Sequence, residues 1–317
     1  MYVPLDRAAI VFPGQGAQAP AMAAPWHDTS AWHVVETAES VLERRLDQLL
    51  LDPDLRPTST TETQLCVLVT SLLAWEYLQQ SLRGTGGPLA VAGHSLGQFA
   101  ALVAAGTLTT ADAIRLVAIR GSLTEATCRR HPGGMVAVLG VETQLVETVC
   151  RRSGSWIAND NAPGQLVIAG TEQALGATEQ ALAKLGVGKT IRLDVAGPFH
   201  TPLMAPAARE FTHHLRSVPF TAPNRPVVRN SDGQVAGAET DWTAELTTHL
   251  TAPVRWRDTQ RRLVELGATS LVELGHGTTL TSIARRTVSD VRLISISDPH
   301  TADRLHDPIP ETAQTSA

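Results

Sequence analysis

Two rhythms of apolar and polar positions alternate along the chain. Ala8-Ala9-Ile10-Val11-Phe12 is an apolar run with no polar break, the pattern of a strand buried on both faces. Pro88 to Ala92, Ser270-Leu271-Val272-Glu273-Leu274 and Val291 to Ser297 read as further strands, and Val227-Val228 opens a strand and turn. Helical stretches lie between them. Thr61-x-x-Gln64 has the spacing of a capping box and opens a long apolar helix from Leu65 to Leu82. Phe99 to Ala105, Ala111 to about Cys128, Met204 to Val218, Trp242 to Leu250, Trp256 to Leu266 and Leu280 to Val288 complete the set.

The rhythm changes after His131-Pro132-Gly133-Gly134. Met135 to Leu139, Trp156 to Ala158, Gln165 to Ala169 and Thr190 to Val195 read as strands, and Glu142 to Arg152 and Thr171 to Leu185 as helices. Asn159 to Gly164 joins the middle two strands with turn chemistry. The order βαββαβ is that of a ferredoxin-like unit. The expectation is a large subdomain over 1–130 and 197–300, a ferredoxin-like subdomain inserted over 131–196, and a disordered polar tail over 301–317.

Composition adds exclusions. The chain has 317 residues, 43% hydrophobic and 18% charged, and a formal net charge of −5. With no long basic run, nucleic acid is not an expected partner. No apolar run is long enough to span a bilayer, and the N-terminus carries no apolar signal segment, so no membrane role is expected. Cys66, Cys128 and Cys150 show no C-x-x-C spacing, which points to a reducing cytoplasm and away from structural metal or disulfides.

Chemistry concentrates at Gly93-His94-Ser95-Leu96-Gly97, a G-x-S-x-G between a strand and a helix. A sharp turn there lifts Ser95 out of the backbone, and the helix N-terminus offers amides to a developing oxyanion. Gly14-Gln15-Gly16 at the end of the first strand is either a plain turn or a second source of amides. Arg120 falls on the inward stripe of its helix, where it either snorkels outward or aims at an anionic substrate group. A nucleophilic serine needs a base. His213, His214, His249, His300 and His306 read as solvated surface, leaving His200 and His276, both in loops, with His200 slightly favoured.

Four segments in order then carry a resemblance: Phe12-Pro13-Gly14-Gln15-Gly16-Ala17-Gln18, Gly93-His94-Ser95-Leu96-Gly97, Arg120-Gly121, and Gly197-Pro198-Phe199-His200-Thr201-Pro202-Leu203-Met204. Asn159 to Gly170 and Pro253-Val254-Arg255-Trp256 add to it. The chain resembles the malonyl-CoA:acyl-carrier-protein transacylase family, which includes the acyltransferase domains of polyketide synthases (PKS). The resemblance implies an α/β-hydrolase-like core with the ferredoxin-like insertion. It implies Ser95 as the acyl-carrying nucleophile, His200 as base and acid, and Gln15 and Leu96 as oxyanion amides. Arg120, Thr124, Phe199 and Asn161 would line the acyl site, and a backbone carbonyl near Arg255 would orient His200. Acyl-CoA and an acyl carrier protein would be the substrates, with no bound cofactor and no metal.

Departures bear on the acyl group. Ala21-Met22-Ala23 stands for Gly-Met-Gly, Gln98 for a glutamate, Thr124 for a methionine, and Gly275-His276-Gly277 for Gly-Pro-Gly. The leading expectation is a trans-acting malonyl-type acyltransferase of polyketide or fatty-acid biosynthesis. Alternatives are carrier-to-carrier transfer of a bulkier acyl or aminoacyl group, with Thr124 making room, and a serine hydrolase or thioesterase, with Asp160 or Asp194 as triad acid. A non-catalytic carrier-binding module is opposed by the joint presence of Ser95, His200 and Arg120. The pairs Arg129-Arg130, Arg151-Arg152 and Arg285-Arg286 are docking candidates or ordinary solvated surface.

Overall fold

The computed structural model describes residues 4–81 and 87–305. The elements run β1 (Ala8–Phe12), α1 (His33–Leu42), α2 (Asp47–Leu51), α3 (Thr60–Ser81), β2 (Ala90–Gly93), α4 (Gly97–Ala104) and α5 (Thr110–Arg130). Next come β3 (Gly134–Leu139), α6 (Thr143–Ser153), β4 (Trp156–Ala162), β5 (Gln165–Gly170), α7 (Glu172–Lys184) and β6 (Lys189–Arg192). The chain closes with α8 (Ala205–Leu215), β7 (Val227–Val228), α9 (Trp242–His249), α10 (Trp256–Glu265), β8 (Ser270–Leu274), α11 (Thr279–Ala284), β9 (Arg292–Ile296) and α12 (Pro299–Asp303).

Two sheets result. The first is parallel throughout, in the order β7-β2-β1-β8-β9. Ile10 of the central strand sits opposite Val91 on one side and Val272 on the other. Every residue of β1 is buried, because both faces are covered. Ile10 and Phe12 point into a core with Trp26, Leu68, Leu72 and Phe99, while Ala9 and Val11 face Val254, Trp256 and Leu271. The second sheet is antiparallel, in the order β4-β5-β3-β6, with its own core around Val136, Ile168 and Leu175. The βαββαβ order read from the sequence is the order of this second unit. No described helix is long and apolar enough to cross a membrane.

Three local expectations give way. Asn159 to Ala162 is not a turn but the continuation of β4, with register shifts against β5, and the turn shrinks to Pro163-Gly164. The polar side chains that suggested a turn are instead buried, Asp160 against Arg257 and Asn161 against His94. Gln64 does not cap α3; Ser59 does, accepting from the Glu62 amide at 3.1 Å. The chain also stays ordered past His300. Asp298 caps α12 by accepting from the Thr301 amide, Tyr77 donates to Asp303, and Ala302 and Leu305 are buried. The rest of the expected tail, with Leu82 and His306, lies outside the described residues.

Candidate active site

The carboxyl ends of β1 and β2 meet beside the point where strand order diverges, where open parallel sheets bind ligands. The turn after β2 places Ser95 at φ 51°, a left-handed conformation that costs a non-glycine residue of order 1–3 kcal/mol. Two glycines permit it. A Cβ on Gly93 would fall 1.9 Å from the Gly97 backbone, and one on Gly97 would fall 2.1 Å from the Phe12 carbonyl oxygen. α4 therefore presses directly onto the end of β1.

Ser95 Oγ lies 2.7 Å from His200 Nε2. His200, itself at φ 59°, enters from the loop before α8 and is 4% exposed. Its Nδ1 donates to the His249 carbonyl oxygen at 2.8 Å, which fixes the tautomer with Nε2 free to accept the serine proton. This corrects the expectation for Arg255. The Arg255 carbonyl instead accepts within α10, from the Thr259 amide and hydroxyl. It also corrects the reading of His249 as surface. His249 ends α9 in the core, 2% exposed, with ring centroids 5.1 Å from His200. Asp160 is not a triad acid, because it pairs with Arg257 at 2.6 Å. Asp194 lines a separate cleft with Arg56 and Ser59, and His276 does not line the serine pocket.

Arg120 is 2% exposed on α5 and reaches the same point. Its Nη2 lies 3.4 Å from Ser95 Oγ, and its Nη1 donates to Gln64 Oε1 at 2.7 Å. Gln64 Nε2 in turn donates to Gln15 Oε1 at 3.2 Å. Among the described residues no carboxylate pairs with Arg120. Burial alone pushes its guanidinium down to about 10. Burial, then the Arg120 charge, push the His200 imidazole down to about 3, against the pull of its bond to the His249 carbonyl. The histidine is therefore neutral, as a base must be.

These groups line a cavity of about 260 Å³ with Gln15, His94, Asn161, Phe199, Leu280 and Ile283. Asn161 Oδ1 accepts from His94 Nε2 at 2.9 Å. Leu96 is buried at the foot of α4, and among the described residues the amides of Gln15 and Leu96 have no protein acceptor. Thr124 is a further correction. It is fully buried, its hydroxyl donates back to the Arg120 and Gly121 carbonyls, and it does not line the cavity.

Sequence reasoning gave Gln64 only a capping role and placed neither Gln64 nor Asn230 at the site. Asn230 Oδ1 accepts from the Ser95 amide at 2.8 Å, and its Nδ2 donates to the Gly93 carbonyl at 2.6 Å. Gln64 carried a signal, a polar residue directly before the apolar run that its helix buries. Asn230 carried only the look of a turn.

A reactive serine, a neutral histidine and an unpaired buried guanidinium within hydrogen-bond reach suit acyl transfer of an anionic acyl group. Residues 9–306 match the family described as acyl transferase domain. The chain belongs to that family. It is 31% identical over 307 residues to the malonyl CoA-acyl carrier protein transacylase of Bacillus subtilis, covering 94% of this chain and 96% of that one. The crystal structure of an acyl carrier protein S-malonyltransferase from Vibrio cholerae superposes with a TM-score of 0.87 at 33% identity, covering 94% of this chain and 99% of that one. A malonyl-transacylase in complex with a type II PKS acyl-carrier protein gives 0.89 at 31% identity, covering 95% and 99%. In this acyl transferase domain the structure brings Ser95 and His200 together within hydrogen-bond distance.

Proposed function

We propose that this chain moves a malonyl group from coenzyme A, through an ester on Ser95, to the phosphopantetheine thiol of an acyl carrier protein. It acts in trans, in the cytoplasm, in fatty-acid or polyketide biosynthesis. The observation that carries this is Arg120, buried without a carboxylate partner and 3.4 Å from the nucleophile. A buried unpaired cation is costly, and a free substrate carboxylate supplies the missing anion.

Ser95 Oγ attacks the thioester carbonyl while His200 Nε2 takes its proton. The amides of Gln15 and Leu96 receive the oxyanion. The tetrahedral intermediate collapses, His200 returns the proton to the leaving thiolate, and the malonyl ester remains on Ser95. The carrier thiol then reverses the sequence. The carboxylate on Arg120 also offsets the charge His200 acquires on protonation, so malonyl donors favour their own transfer. Phe199 and Asn161 shape the acyl site, with Phe199 leaving little room beside the α-carbon. Coenzyme A and phosphopantetheine enter as substrates, and no cofactor is assigned.

On this reading the parallel sheet is an α/β-hydrolase-like core over 1–130 and 197–300, and 131–196 is a ferredoxin-like subdomain closing over it. Arg285 and Arg286 are exposed just beyond α11, whose Leu280 and Ile283 line the cavity, and suit an acidic carrier. Carrier-to-carrier transfer of a bulky group loses its support with Thr124 outside the cavity. The test incubates the protein with malonyl-CoA and a holo acyl carrier protein and weighs the carrier. Malonylated carrier is the expected product, and free malonate with unmodified carrier would indicate a hydrolase.

A further inference from the structure

The turn that carries Ser95 is held by a side chain from the loop after β7. Asn230 follows β7, is 1% exposed, and does not line the substrate cavity. Its Oδ1 accepts from the Ser95 amide at 2.8 Å. Its Nδ2 donates to the Gly93 carbonyl at 2.6 Å and to Gln98 Oε1. One donor faces its oxygen and two acceptors face its nitrogen, so the carboxamide has one consistent orientation. It spans the turn, gripping the residue before His94 and the residue after it.

Gln98 testifies to how firmly that orientation is held. It lies on the first turn of α4, 1% exposed, with Oε1 on Asn230 and Nε2 without a hydrogen-bond partner. Reversing its amide would set two nitrogens against each other, so Gln98 keeps a buried donor unpaired while serving Asn230.

We propose that Asn230 is a positioning residue for acyl transfer. It commits the Ser95 amide outside the cavity and so leaves the Leu96 amide as the donor that the elbow offers to the oxyanion. Gln98 sets the Asn230 carboxamide for that task. The backbone carbonyl of Asn230, which accepts from the Arg255 amide at 2.9 Å, ties the loop to α10 whatever side chain stands there.

The inference rests on the malonyl-transfer reading, and its test separates the two. Single-turnover acylation by malonyl-CoA is measured beside Ser95 inactivation by phenylmethanesulfonyl fluoride, a reagent with no carboxylate for Arg120. Asn230→Ala is expected to slow both by roughly 10²-fold, the scale of a misplaced reacting group, while KM for malonyl-CoA stays unchanged. Asn230→Asp, with its buried carboxyl protonated, keeps an acceptor for the Ser95 amide and a hydroxyl donor for the Gly93 carbonyl, and Gln98 can turn its unpaired nitrogen towards it. That variant is expected to recover most of both rates, and adding Gln98→Glu to it is expected to remove the recovery. Wild-type rates in folded Asn230→Ala, a loss expressed as a rise in KM, or failure of every Asn230 variant to fold would each overturn the proposal. Ser95 that reacts with the sulfonyl fluoride but not with malonyl-CoA would instead overturn the parent reading, with the Asn230 comparison still decided.

Discussion

Arg120 points a guanidinium nitrogen at Ser95 Oγ across 3.4 Å, from a helix in which it is 98% enclosed. The same charge lowers the basicity of the histidine that must activate that serine. A donor carboxylate answers both demands, since it pairs the cation and restores the base. On the proposed reading, specificity for the acyl group and activation of the nucleophile reside in one contact.

Arg120→Ala is expected to narrow or reverse the preference for malonyl-CoA over acetyl-CoA. Breaking a desolvated carboxylate–arginine pair costs roughly 3–5 kcal/mol. A methylene's worth of space changes preference by only about 1–3 kcal/mol. Single-turnover acylation with both donors checks it, and an unchanged ratio would remove Arg120 from the specificity site.

Gln64→Leu is expected to weaken malonyl selection with Ser95 and His200 intact. The glutamine accepts from Arg120 and donates to Gln15, so its loss leaves buried donors and acceptors unpaired, at about 1–3 kcal/mol. A higher KM for malonyl-CoA with acetyl-CoA unaffected is the signature.

Much of the architecture was legible in apolar runs. β1 and β8 fall on the residues their patterns named, because a parallel strand covered on both faces is mostly apolar; Glu273, the polar break inside β8, is buried as the acceptor of the Leu280 and Thr281 amides. α1 and α2 were not legible. α1 has no side-chain cap at Trp32 and ends at Glu43 in a left-handed conformation rather than at a glycine, so both ordinary end signals are missing. The G-x-S-x-G elbow and His200 could be named because sequence neighbours such as His94 and Phe199 belong to the site, and Arg120 because it is a charge on the inward stripe of its helix. His249 and Asn230 could not. One acts through its backbone carbonyl and the other by a contact 135 residues away, and neither leaves a local pattern.

The histidines set different pH trends for rate and stability. His94, His200 and His249 are all held below the ordinary 6.5 by burial, so the unfolded chain takes up protons first as pH falls. Their contribution to stability is complete above about 6.5 and lost as pH drops towards the folded values. Tm is expected to fall below pH 6.5. Over the same interval kcat/KM should show no downturn from His200, which stays neutral down to about 3. A rate profile with an ordinary histidine inflection would contradict the depressed base. His200→Ala should slow acylation by roughly 10²–10⁴-fold, and His276→Ala should not.

Gly97→Ala tests the elbow itself. The added Cβ would lie 2.1 Å from the Phe12 carbonyl oxygen, backbone against backbone, so α4 must lift from β1. Overpacking of this kind costs about 1–3 kcal/mol, and a lower Tm with slower acylation is the expected pair of effects. A variant with wild-type stability and rate would show that the close approach is dispensable.

The most direct measurement is the intact mass of the protein after a brief exposure to malonyl-CoA, for wild type and Ser95→Ala, followed by addition of holo acyl carrier protein. The account predicts one malonyl adduct on the wild type that maps to Ser95, none on Ser95→Ala, and transfer of the adduct to the carrier. An adduct that persists in Ser95→Ala, or one released as free malonate while the carrier stays unmodified, would contradict it.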